Sequence, residues 1–222
     1  MPTTNSSMIL GTLGLAIIAV TVLWRFGGPV VALAVLGGYL GTALLTGARF
    51  ESGWLWVRGR DFESVAFFKS ERGWWPSKVV TALAGLPAPS VLGLLLARGV
   101  DVGWDSRTVL VVLLVLLGLL ALLHGNWYTL LVIAGVAVGL AVLVYQGGAQ
   151  AQRGSVVALS WLFLLGGLRY NVEMAGYKHT AKSATFPGIL ARLTDIPAIV
   201  WSLGFLLIAL SAAIAGSRWL LY

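Results

Sequence analysis

A chain of 222 residues that is 59% hydrophobic and only 10% charged, with a mean hydropathy of +0.91, is far from a soluble domain, where about a quarter of residues are charged. The composition points to an all-α, polytopic transmembrane helical bundle, and the absence of cysteine removes disulfides and thiolate metal ligands. The net charge of +7 comes from fifteen basic residues scattered near the ends of apolar runs. That distribution argues for the lipid bilayer as the first partner and against nucleic acid.

A bilayer core about 30 Å thick takes roughly 20 helical residues per crossing. Seven runs suit that length, predicting about six to seven spans: Met8–Trp24, Pro29–Thr46, Val79–Leu96, Val109–His124, Tyr128–Tyr145, Val156–Leu168 and Ile196–Ala215. The sixth is the shortest. Residues 1–222 read as a single integral membrane domain with surface segments at 49–78 and 169–193. The segment before Met8 has no basic residue, so the first run is expected to be a retained span rather than a cleaved signal peptide.

In the second run Gly37 and Gly41 form a small-x-x-x-small pattern with Gly38 beside it. The pattern admits a closely packed helix and marks a partner-binding face. Arg49–Lys78 then mixes Trp54, Trp56 and other aromatics with six basic and four acidic residues, as expected at headgroup level. Gly53–Arg58 has strand character. Trp54 and Trp56 would serve either in a lid over the helices or in a sheet edge that captures a peptide. Pro87 and Pro89 should break the third run, since each fixes its backbone angle and lacks an amide donor.

His124, at the fourth junction, reads as an interfacial imidazole; His179 is the only other histidine. Ionisable residues are absent from the runs away from their ends, which argues against proton pumps, ion-coupled carriers and voltage sensors. With strict alternation and a cytoplasmic amino terminus, ten basic residues fall inside and five outside (Arg25, Arg98, Arg107, Arg153 and Arg218). The Ala-, Val-, Gly-, Leu- and Arg-rich composition suits a bacterial plasma membrane.

Residues 35–47, Val-Leu-Gly-Gly-Tyr-Leu-Gly-Thr-Ala-Leu-Leu-Thr-Gly, resemble the helix that reads His-Glu-x-Gly-His-Ala and ends Leu-Thr-Gly in site-2 protease-like intramembrane zinc metallopeptidases. Gly167-Leu168-Arg169-Tyr170-Asn171-Val172-Glu173 resembles a Gly-x-Arg-x-x-x-Glu element of compact bacterial members. Leu190 to Trp201 is similar to their Leu-Ala-Arg-Leu-Thr-x-Ile-Pro-x-x-x-Trp, which marks Arg169, Glu173, Arg192, Pro197 and Trp201 as motif residues with a structural role. Asn126 resembles the second residue of an Arg-Asn pair, with Gly125 in place of the arginine.

By that resemblance the two zinc-ligand positions fall on Val35 and Tyr39 and the general-base position on Leu36. None of the three offers the required lone pair or basicity. Acidic residues that family members carry before Leu-Ala-Arg-Leu-Thr are replaced by Thr185-Phe186-Pro187-Gly188-Ile189. The expectation is a catalytically inactive, pseudoprotease-like protein that takes no cofactor and binds another integral membrane protein or complex as an accessory or regulatory subunit. The alternatives are an active metalloprotease with an atypical site built from His124, His179 and Glu173, and a small transporter component with a kinked third span.

Overall fold

In lipid, backbone N–H and C=O groups find partners only within the protein, so long apolar stretches resolve into helices. The computed structural model describes residues 6–22, 24–46, 54–58, 63–67, 75–123, 127–176 and 185–221. Within them lie α1 (Ser6–Thr21), α2 (Trp24–Leu45), β1 (Trp54–Arg58), β2 (Glu63–Phe67), α3 (Trp75–Gly85), α4 (Ala88–Asp101), α5 (Ser106–Leu122), α6 (Trp127–Gln146), α7 (Ala149–Gly176), α8 (Phe186–Thr194) and α9 (Ala198–Leu221). Among the described residues four helices are long and apolar enough to cross a bilayer, and the bent α3–α4 pair makes up to five. Two further apolar stretches, Met8–Ile18 and Ser106–Leu122, are shorter. The 17 residues of α5 reach about 25 Å, near the lower limit for a crossing.

The strand character of residues 54–58 is present in β1, which pairs with β2 as an antiparallel ribbon in the register Trp54 with Phe67 and Trp56 with Val65. β2 packs on α2. The third run breaks where expected: α3 and α4 meet at 60°. Pro87 and Pro89 give no amide hydrogen to the carbonyls of Leu83 and Gly85, and the ladder restarts with Val91 N–H donating to Pro87 O at 2.9 Å.

The sixth run, the shortest in the sequence, lies within the longest described helix. α7 has 28 residues and packs against α1, α2, α4, α5 and α9. Over half of its apolar window, 56%, is buried inside the bundle, and on that side it accommodates polar side chains that bond to backbone carbonyls. Ser160 Oγ donates to Val156 O at 2.8 Å, and Asn171 Nδ2 to Gly167 O at 2.8 Å. Gln152 Nε2 donates to the carbonyls of Leu143, Val144 and Gly147 at 3.1, 3.3 and 3.1 Å, closing the α6–α7 corner.

Packing also corrects the expected alternation of crossings. A first and a sixth span that alternate strictly must be antiparallel, yet α1 runs parallel to α7, with Met8 beside Gly154 and the Val20 carbonyl bonded by Arg169. α4 runs antiparallel to α7, Ser90 facing Gly167 and Leu164 facing Gly93. α2 begins with Trp24 against Glu173, sits on Ala84 and Ala88 through Gly38, and is followed by Thr46 bonded to Ser77 of α3. Both ends of α2 therefore lie toward the carboxyl-terminal end of α7, and Arg25 shares a side with Arg169.

Candidate functional site

The three positions matching the catalytic helix are part of the core. Val35 and Leu36 are fully buried, at 0% exposure, in the main apolar cluster. Tyr39 lies one turn on, its ring 6.1 Å from that of Phe186 and tilted by 58°. Phe186 is itself buried and covers Gly85 at the end of α3, where any Cβ would come within 2.7 Å of the ring. The helix that the resemblance assigns to metal ligation and the segment where relatives carry acidic residues do converge, but they bring the Tyr39–Phe186 aromatic pair into contact and present no imidazole or carboxylate. These residues do not fit a zinc ion. Among the described residues no three His, Cys, Asp or Glu side chains come together; His124, Gly125, Asn126 and His179 lie outside those residues.

On another face of α2 an apolar cleft of about 600 Å³ opens between α2, α4, α5, α6 and α7. Gly37 and Gly41 line it, and a Cβ at either would meet nothing within 4 Å. Gly38, between them in sequence, belongs to an internal contact: a Cβ there would run into Ala88 and approach Ala84 O to 2.9 Å. Among the described lining residues only Thr42 carries a hydroxyl, and it donates back to Gly38 O and Tyr39 O at 2.8 and 3.0 Å. Among the described residues the cleft therefore offers shape and apolar surface, with no free polar side chain to orient a reacting group.

The Gly-x-Arg-x-x-x-Glu element forms a clamp at the junction of α1, α2 and α7. Arg169 Nε donates to Glu173 Oε1 at 2.8 Å, its guanidinium lies 4.7 Å above the Trp24 ring, and a further N–H of Arg169 donates to Val20 O at the end of α1. Trp24 Nε1 donates to Glu173 Oε2 at 3.2 Å. Both carboxylate oxygens of Glu173 are engaged, which removes support from Glu173 as a metal ligand. Trp24 was not legible as a member, because Glu173, to which it donates, lies 149 residues away in sequence.

The Leu-Ala-Arg-Leu-Thr element makes the α8–α9 corner. Trp201 Nε1 donates to Thr194 Oγ1 at 3.2 Å, Asp195 adopts the left-handed conformation at φ 58°, and Pro197 O receives Val200 N–H at 2.9 Å as α9 starts. Arg192 is exposed in the last turn of α8, where a cation complements the helix dipole. The side chains of Trp54 and Trp56 lie outside the described residues; their backbone belongs to β1.

These features define a multi-pass helical membrane protein with an open apolar cleft beside a helix on which Val35, Leu36 and Tyr39 offer no metal ligand. A family model described as Peptidase M50B-like matches residues 8–216, and the chain belongs to that site-2 protease-like family. No curated protein and no solved structure matches it.

Proposed function

We propose that the chain is a catalytically inactive member of its family that works by binding within the membrane, as an accessory or regulatory subunit of a larger membrane complex in the bacterial plasma membrane. The observation that carries this reading is the filled ligand site: Val35 and Leu36 are fully buried and Tyr39 rests on Phe186, where the family places two imidazoles, a general base and an acid. Aliphatic and phenyl groups neither ligate zinc nor take a proton from water. What persists is the helical scaffold and a cleft able to hold without cutting.

The test is elemental analysis of the purified full chain together with its recovery from native membranes. The expected result is well under one zinc per chain and stoichiometric co-purification with one membrane complex. Loss of that complex's integrity on deletion of the chain would mark a structural subunit; a persisting complex with altered activity would mark a regulator. Stoichiometric zinc that disappears when His124 or His179 is replaced would overturn the reading.

A further inference from the structure

We propose that α5 and α6 form a two-helix arm hinged at one end of the bundle, and that its swing sets the width of the apolar cleft. The inference goes beyond the reading of an inactive family member and does not rest on it. One wall of the cleft belongs to α2, α4 and α7, which pack on one another. The other wall is the arm, through Leu113, Leu117 and Leu120 of α5 and Val136 and Leu140 of α6.

Topology puts both attachments of the arm at the amino-terminal end of α7. Because α4 runs antiparallel to α7, the turn from Asp101 to Ser106 that leads into α5 closes beside the Gly147-Gly148 corner between α6 and α7. Each attachment is an ordered pivot. In the first, Gly103 takes φ 77°, a backbone angle that side chains resist, and the Trp104 ring lies against Gly99 of α4. In the second, Gln152 Nε2 donates to the carbonyls of Leu143, Val144 and Gly147 and pins the end of α6. At the opposite end the chain joins α5 only to α6.

Packing makes the arm one body and leaves it lightly held. The buried positions of α6, at Thr129, Ile133, Leu140 and Val144, form one stripe, and among the described residues the chief partner of α6 is α5. Only 22% of the apolar window of α6 is buried, against more than half in α7. Helix α9 is as open to lipid as α6, but it packs on α4, α7 and α8. Exposure is greatest away from the pivots: Leu122 is 83% exposed and Trp127 is exposed, whereas Leu110 and Val144 near the pivots are buried. In lipid no hydrophobic effect drives two apolar walls together, so the closed position rests on side-chain packing. The 20 residues of α6 make a lever about 30 Å long, on which a turn of about 10° carries the free end roughly 5 Å.

The natural chain has no cysteine, so spin labels go only where they are placed. The full chain is reconstituted in lipid nanodiscs as three double-cysteine variants that share Ile214→Cys on α9, and distance distributions are measured by double electron-electron resonance. Leu122→Cys reports the free end of the arm, Tyr145→Cys its pivot end, and Val172→Cys the carboxyl-terminal half of α7; all four positions are exposed, so the labels displace no core. The Leu122 pair is expected to give a distribution at least about 5 Å broader than the Tyr145 and Val172 pairs, or a second distance separated by that much. A Leu122 distribution as narrow as that of Val172 would overturn the hinge. So would equal broadening at Leu122 and Tyr145, the mark of a detached hairpin, or at Leu122 and Val172, the mark of general mobility at that end. These distances come from the purified chain alone, whereas zinc content and partner recovery test the inactive-subunit reading, so either can fail without the other.

Discussion

A methyl group on Gly38 collides with Ala88 and crowds the Ala84 carbonyl, while the same group on Gly41 touches nothing, so neighbouring glycines in one motif answer to opposite constraints. Gly38→Ala is expected to destabilise the protein by about 1–3 kcal/mol, the usual cost of overpacking against backbone. Gly41→Ala is expected to be neutral or to stabilise by up to about 1 kcal/mol, because alanine is the better helix former. Thermal unfolding in one detergent compares the two, and equal effects would mean that α2 does not rest on the α3–α4 break as described. The glycine spacing was legible in the sequence as a close-packing pattern. Which glycine packs was not, because that depends on the approach of Ala84 and Ala88 across the break. The same holds for Phe186: the loss of acidic residues was readable, but the ring that occupies their place was identified only by its contact with Tyr39.

Among the elements, α7 illustrates how burial hides a helix from a hydropathy reading. Its polar residues shorten the apolar run to Val156–Leu168, yet Gln152, Ser160 and Asn171 all satisfy themselves on carbonyls inside the bundle. Gln152→Leu is expected to cost about 1–3 kcal/mol, since it removes a buried donor shared among three carbonyls at the α6–α7 corner; an unchanged unfolding temperature would contradict that role. Helix α5 supplies a pH-dependent counterpart. The Thr108 hydroxyl, and then its backbone amide, donate to the Asp105 carboxylate at 2.6 and 2.8 Å and hold its pKa below the usual aspartate value. The lowered group favours the folded state above the unfolded value, about 3.9, and that contribution disappears as pH falls through the depressed folded value. Hydrogen exchange in the first turn of α5 should therefore lose protection in that acid window, and Asp105→Asn should remove the pH dependence while keeping a cap.

For the whole molecule, the apolar runs located the long apolar helices among the described residues, but their count could not give direction, because α2 is apolar enough to cross and yet keeps both ends near one end of α7. Among the described residues, counting crossings from α7 outward places the start of α2, the start of α3 with Lys78, and Arg169 and Arg192 on one side. Among the described residues, Arg98, Arg107, Arg153 and Arg218 lie at the opposite end of the bundle. The positive-inside bias predicts that the end of the bundle carrying Lys78, Arg169 and Arg192 faces the cytoplasm. Parallel packing of α1 on α7 then predicts an amino terminus on the other side, in contrast to the cytoplasmic one expected from strict alternation. Single cysteines are practical reporters, since the natural chain has none. Ser64→Cys in β2 is expected to resist a membrane-impermeant thiol reagent in intact cells and to react after permeabilisation, while Thr3→Cys is expected to react in intact cells. If Thr3→Cys is protected together with Ser64→Cys, α1 enters from the cytoplasm, its parallel packing against α7 is lost, and the clamp of Arg169 on Val20 is wrong with it.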